Sequence, residues 1–139
     1  MSRVMLITGA SRGIGAATAR LAAQQGYALC LNYHQRADAA NAVLEQVRGL
    51  GVTAIAVQAD VADETQVLHM FEAIDREFGR LDVLVNNAGF LRDRMLINLD
   101  EKDWDDVVRV HLKGHFATSR HAGQYWRSES KAVRARDAR

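Results

Sequence analysis

With 139 residues, 48% hydrophobic and 25% charged, the chain has the composition of one soluble globular domain. Its formal net charge of +1 comes from its end: residues 127–139 hold five basic and two acidic side chains (+3), and the other 13 basic and 15 acidic give −2. That excess reads as a short solvated tail rather than a nucleic-acid surface; the lone Cys30 excludes an internal disulfide, and no run approaches the ~18 apolar residues of a membrane span.

The first element is an apolar, β-branched run, Val4-Met5-Leu6-Ile7, which reads as a buried parallel strand. It leads through Thr8-Gly9-Ala10-Ser11-Arg12-Gly13-Ile14-Gly15 into helix-forming Ala16-Ala17-Thr18-Ala19. A strand, a glycine turn and a helix in that order leave backbone N–H groups at the positive end of a helix dipole, where a phosphate can sit. Glycine serves where a side chain would block a pyrophosphate or keep helix and strand apart. The spacing is Gly-x-x-x-Gly-x-Gly, and a plain strand–helix turn is the alternative.

Ile14, Thr18, Leu21 and Ala22 share one face of this helix, which Gly26 ends. Ala28-Leu29-Cys30-Leu31 is a second buried strand running to Asn32-Tyr33-His34, with Cys30 a small core residue. Ala40, Val43, Val47 and Leu50 make a helical stripe closed by Gly49 and Gly51, and Thr53–Val57 is a third strand followed by Asp60-Val61. Asp63 and Gln66 resemble a capping box opening a helix with Val67, Met70, Phe71, Ile74 and Phe78 on its face, stopped by Gly79. Leu81–Val85 is a fourth strand ending in Asn86-Asn87-Ala88-Gly89. A loop from Phe90 to Leu99 leads to Asp100, an N-cap, and to a long helix over 101–126 carrying Trp104, Val107, Val108, His111, Leu112 and Phe116.

Alternating strands and helices predict a three-layer α/β/α fold of Rossmann type, its parallel sheet ordered 3-2-1-4 and the chain stopping after strand four and its helix. Residues 1–126 form the domain and 127–139 an irregular basic tail. The switch point lies between strands one and four, so the glycine turn and Asn86–Gly89 open on one crevice.

These stretches together resemble the short-chain dehydrogenases/reductases. Thr8–Gly15 is similar to the family's cofactor motif, Asp60-Val61 to its adenine-contacting pair, and Asn86-Asn87-Ala88-Gly89 to its fourth-strand signature. The resemblance implies a nicotinamide dinucleotide held by Gly9, Ser11, Arg12, Gly13, Ile14, Gly15, Asn32, Tyr33, His34, Asp60, Val61, Asn87, Ala88 and Gly89. It implies hydride exchange with a carbonyl or alcohol carbon, and self-association through the 101–126 helix. It covers residues 4 to about 126 and only the cofactor-binding half of a member's domain. The catalytic serine and Tyr-x-x-x-Lys pair that members carry later are not in these residues: Tyr125 has Glu129, not lysine, four residues on. His111 stands where the family has a catalytic asparagine. About the first 85 residues look like bacterial sugar or 3-oxoacyl reductases, whereas Val110-His111-Leu112-Lys113-Gly114 looks like the dehydrogenase units of peroxisomal multifunctional enzymes. A non-catalytic nucleotide-binding or subunit-interaction fragment is the rival reading.

Enzymes that take NAD(H) place a carboxylate about 20 residues past the turn, at the end of strand two, to hold the ribose 2′-OH. Asn32, Tyr33 and His34 stand there, with no carboxylate before Asp38, and Arg12 can meet a 2′-phosphate, so NADP(H) is expected over NAD(H). Arg12 as a solvated turn residue is the alternative, as is Asp60 as a strand-end turn carboxylate. His111, His115 and His121 lack further ligands at a convincing spacing; no metal is expected, and His115 and His121 read as helix-surface or interface groups. Trp104 reads as core more than Trp126 does. The cytosol is the expected compartment.

Overall fold

The computed structural model describes residues 2–89 and 95–132. Four parallel strands, β1 (Val4–Ile7), β2 (Ala28–Tyr33), β3 (Ala54–Gln58) and β4 (Val83–Val85), form one sheet in the order β3-β2-β1-β4. Helices α1 (Gly13–Gln24), α2 (Ala37–Gly49) and α3 (Glu64–Phe78) connect them. After β4 come a 3₁₀ turn (Leu96–Asn98), α4 (Glu101–Val108), a π-helical turn (Arg109–Lys113) and α5 (Gly114–Lys131). The expected α/β/α architecture and strand order are both present. Of the expected Phe90–Leu99 loop, residues 90–94 lie outside the described residues, as do 133–139 of the tail.

Alternation along the strands sorts their side chains onto two faces. Ile7, Leu29 and Leu31 join Ala16, Ala19 and Ala23 of α1 and Val43 and Val47 of α2 in one core. Val4, Leu6, Ala28 and Cys30 face Met70 and Ile74 of α3 and Ala122 of α5 in the other. Burial pushes the Cys30 thiol up to about 12, so it stays a protonated core group. Register then sets the site. Ile7 lies opposite Leu31 on one side and Val85 on the other, so Thr8, Asn32 and Asn86 leave the sheet at one level.

Caps follow the sequence with one change. Asp63 accepts from the amides of Thr65 and Gln66 (3.0 and 3.2 Å), but Gln66 Oε1 reaches past it to the Asp60 amide at 2.9 Å. Asp100 caps α4 through the Asp103 amide at 2.7 Å.

Three expectations need correction. The packed face of α1 is Gly15, Ala16, Ala19, Ala22 and Ala23, while Ile14 is 78% and Leu21 59% exposed. Small residues let α1 lie close on the sheet, which leaves no room there for the large ones. The helix expected over 101–126 is continuous but contains the π-helical turn, and it runs on to Lys131, so residues 127–131 are helical rather than irregular. Trp104 is 66% exposed, whereas Trp126 packs against the second core and donates its indole N–H to the Leu81 carbonyl at 2.7 Å. The second core gives that indole apolar cover, and the Leu81 carbonyl before β4 gives it an acceptor.

Candidate functional site

The carboxyl ends of β1–β4 open on a cleft of about 750 Å³, at the point where strand order reverses. Gly9, Ser11, Arg12, Gly13 and Ile14 form one wall, Tyr33 and His34 border β2, Asp60 and Val61 follow β3, and Asn87, Ala88 and Gly89 follow β4. Of the expected cofactor residues, only Gly15 and Asn32 stand back from that wall.

Their work lies beneath it. A Cβ on Gly15 would come within 2.3 Å of the Gly9 carbonyl and 2.6 Å of Asn87 Nδ2, so this glycine seats the helix on the turn. Asn32 is buried. It accepts from the Gly9 amide at 3.2 Å and donates to the Ala59 carbonyl at 3.1 Å, tying the turn to the loop after β3. The glycine turn is thus fixed from the ends of β2 and β4, and the loop after β3 is joined to it through Asn32.

Gly13 differs. Its φ of +56° favours glycine, and an added Cβ would meet nothing within 4 Å, so its bare backbone faces open cleft. Arg12 is the α1 N-cap and makes no capping bond with its side chain, unlike Asp63 on α3 and Asp100 on α4. The first amides of α1 therefore keep their hydrogen-bonding capacity where the dipole favours an anion. A narrow, side-chain-free approach to a helix N-terminus fits a pyrophosphate.

Sequence reading missed several residues on this cleft: Gln35, Arg36, Lys102, Asp106, Arg109 and Val110. Arg36 follows the acid-free end of β2 and is the one non-glycine of positive φ (51°) among the described residues. It pairs with Asp38 at 3.3 Å, and this hydrogen bond and charge hold the Asp38 carboxyl below its ordinary range. The first carboxylate that follows that strand in the chain is thereby engaged by an arginine. The signal was local, a base directly after Tyr33-His34-Gln35, but no periodicity marks it.

Asp60 accepts from the Ala62 amide at 3.0 Å and from Arg109 Nη1 at 2.7 Å. Burial pushes its carboxyl up; the Ala62 amide, Arg109 and, more weakly, His34 outweigh this, so it titrates below the ordinary value. His111 does not line the cleft directly. Its ring lies against Gly89, where an added Cβ would be 2.4 Å from Cε1, so Gly89 is small because His111 is there. His115 and His121 are half-buried, not surface groups: the Nε2 of each is buried, and His121 lies 5.4 Å from the Phe71 ring.

Among the described residues no helix is long and apolar enough to cross a membrane, and no three metal-ligating side chains gather.

Comparison with known proteins agrees with this geometry. Residues 3–133 match the short chain dehydrogenase family. The chain is 46% identical over 116 residues to a 3-oxoacyl-(acyl-carrier-protein) reductase of Staphylococcus aureus, covering 84% of this chain and 47% of the relative. It is 37% identical over 133 residues to a hydroxyacyl-CoA dehydrogenase of Mycobacterium tuberculosis, covering 93% and 42%. A crystal structure of a short chain dehydrogenase from Mycobacterium avium superposes with a TM-score of 0.92 at 43% identity, over 98% of this chain and 51% of that one. The chain spans about half the length of these relatives. With its strand order, glycine turn and cleft, it belongs to the short-chain dehydrogenase family and carries that family's Rossmann-type, NAD(P)-binding architecture.

Proposed function

We propose that these 139 residues are a dinucleotide-binding unit that takes NADP(H) in preference to NAD(H) and do not themselves hold the acid/base machinery of hydride transfer. One observation carries the binding: the uncapped N-terminus of α1 opens, past the bare backbone of Gly13, onto the cleft that Asp60, Val61, Ala88 and Gly89 also line. Gly9, Ser11, Gly13 and Ile14 would hold the pyrophosphate, Asp60 and Val61 the adenine, and Asn87 to Gly89 the ribose on the nicotinamide side. Arg12 and Arg36 would hold a 2′-phosphate, because guanidinium forks match phosphate oxygens and no unpaired carboxylate ends β2.

When bound, the nicotinamide supplies a hydride for a carbonyl or accepts one from an alcohol. That step needs a group to give or take the hydroxyl proton. None of the tyrosines has lysine four residues on: Leu31 follows Tyr27, Ala37 follows Tyr33 and Glu129 follows Tyr125. His111, behind Gly89, is a ring from which a proton could be exchanged, but it stands outside the cleft wall. This favours the binding-unit reading over that of a self-sufficient oxidoreductase. In an enzyme completed by further residues, acyl thioesters are the carbonyl class to test first, since the names of the relatives share acyl-carrier-protein or CoA derivatives. Self-association through the exposed Trp104, Leu112 and Phe116 and a cytosolic setting belong to the same proposal.

Titration with NADPH and NADH, followed by nicotinamide fluorescence, tests it. Micromolar NADPH binding, at least tenfold tighter than NADH, is expected. Equal affinity refutes the phosphate selection, and no binding by a folded chain refutes the site.

A further inference from the structure

We infer that Arg109 is the positioning residue for base recognition: it fixes the Asp60 carboxylate in the cleft as an acceptor that reads the exocyclic amine of adenine. The inference rests on the dinucleotide reading above and adds to it a residue that is 49 positions from Asp60 and that no motif marks.

Asp60 is held at three atoms. Its amide donates to Gln66 Oε1, Oδ1 accepts from the Ala62 amide, and Oδ2 accepts from Arg109 Nη1 at 2.7 Å. The first bond reaches the first turn of α3 and the second stays within the loop after β3, whereas the third runs to the helix after β4. A carboxylate has about four acceptor positions, so the Ala62 and Arg109 bonds leave capacity for a donor in the cleft. At the 6-position adenine offers an amine there. Hypoxanthine offers a carbonyl oxygen, which an ionised carboxylate repels. A site built to pair with a donor rejects an analogue lacking it.

The fold is shaped to bring Arg109 to this place. It opens the π-helical turn, whose extra residue rotates α5 relative to α4. Immediately after that turn, a Cβ on Gly114 would come within 2.6 Å of Val61 Cγ2, so glycine lets α5 begin directly against the loop that carries Asp60. One ionic and one apolar contact thus clamp the same loop from the same turn. An exposed ion pair contributes little, but here the Asp60 side chain is 16% and Arg109 42% exposed, and both border the cleft. Arg109 also neutralises a carboxylate that would otherwise face an anionic ligand. The other charges near this end are His34, which favours the ionised form of Asp60, Asp63, and Arg12 and Arg36 on the same cleft; Lys102 and Asp106 pair with each other at 2.5 Å one to two turns earlier.

The test is to titrate the wild-type chain, Arg109→Gln and Arg109→Lys with NADPH and with its hypoxanthine analogue, at fixed ionic strength, with far-UV circular dichroism as the check on folding. The wild type is expected to prefer the adenine form about tenfold, Arg109→Gln to bring that ratio within twofold, and Arg109→Lys to retain a preference. A purely structural or purely electrostatic role would weaken both ligands together, so an unchanged ratio in a folded Arg109→Gln overturns the inference. No preference in the wild type overturns base reading by Asp60, while absence of NADPH binding in the wild type overturns the dinucleotide reading beneath it.

Discussion

Thr8 and Asn87 hold each other across the sheet. Thr8 Oγ1 accepts from the Asn87 amide at 3.0 Å, and Asn87 Nδ2 donates back to the Thr8 carbonyl at 3.1 Å. The same hydroxyl takes the Ala88 amide at 2.9 Å, and the same side-chain amide reaches the Gly9 carbonyl at 3.0 Å. The end of β1 and the segment after β4 are thereby one hydrogen-bonded unit, and the cleft between them has a fixed width. Thr8→Val keeps shape and volume but strands two amides. It is expected to destabilise the chain by about 2–3 kcal/mol in urea unfolding, more than a single neutral hydrogen bond contributes. A loss below about 0.5 kcal/mol would mean that the hydroxyl is not the joint.

Two glycines of the turn separate space from backbone freedom. Gly15→Ala drives a Cβ into the Gly9 carbonyl and Asn87 Nδ2, and is expected to cost about 3 kcal/mol and to weaken dinucleotide binding. Gly13→Ala meets no atom within 4 Å but is strained by its φ of +56°, so about 1 kcal/mol is expected. Thermal unfolding of the two variants, side by side, checks the order.

The phosphate selection is expected to divide between Arg12 and Arg36. Either one changed to alanine should weaken NADPH binding about tenfold and leave NADH within twofold, since a charge-assisted hydrogen bond contributes roughly 1.5–3 kcal/mol. Arg36→Gly adds a distinction. Relief of the left-handed backbone at φ 51° offsets the entropy of glycine, so stability should stay within about 1 kcal/mol while NADPH affinity falls.

The range of each interaction decides whether the sequence could reveal it. Strand order, the glycine turn and the α3 stripe of Val67, Met70 and Ile74 rest on local periodicity and were readable. The packed face of α1 was not, because hydrophobic size points to Ile14 and Leu21 while close packing selects Gly15 and alanines. Trp104 and Trp126 exchanged expected places for a similar reason: apolarity does not show which indole reaches an acceptor, and only Trp126 lies beside the Leu81 carbonyl. The π-helical turn leaves the apolar pattern of its helix intact, so nothing in the spacing announces it. The pair Asp60–Arg109 joins positions 49 apart and exists only once α5 is laid against the loop after β3.

Acid titration should report on that pair. The folded Asp60 carboxyl titrates below its ordinary 3.8, so ionised Asp60 stabilises the fold above that pH, and the stabilisation is lost as pH falls through the folded value. Wild-type stability is therefore expected to exceed that of Asp60→Asn near neutrality, with the gap closing below about pH 4. A gap that widens on acidification would give the wrong sign for the assigned contacts.

Dinucleotide binding at the carboxyl end of the sheet is best tested by an amide nitrogen–proton correlation spectrum of the full chain, recorded during NADPH addition. The largest shifts are expected on the amides of residues 11–15, 60–62 and 87–89, which meet at that end. Shifts centred instead on α5, or none at millimolar NADPH in a dispersed spectrum, would contradict binding there.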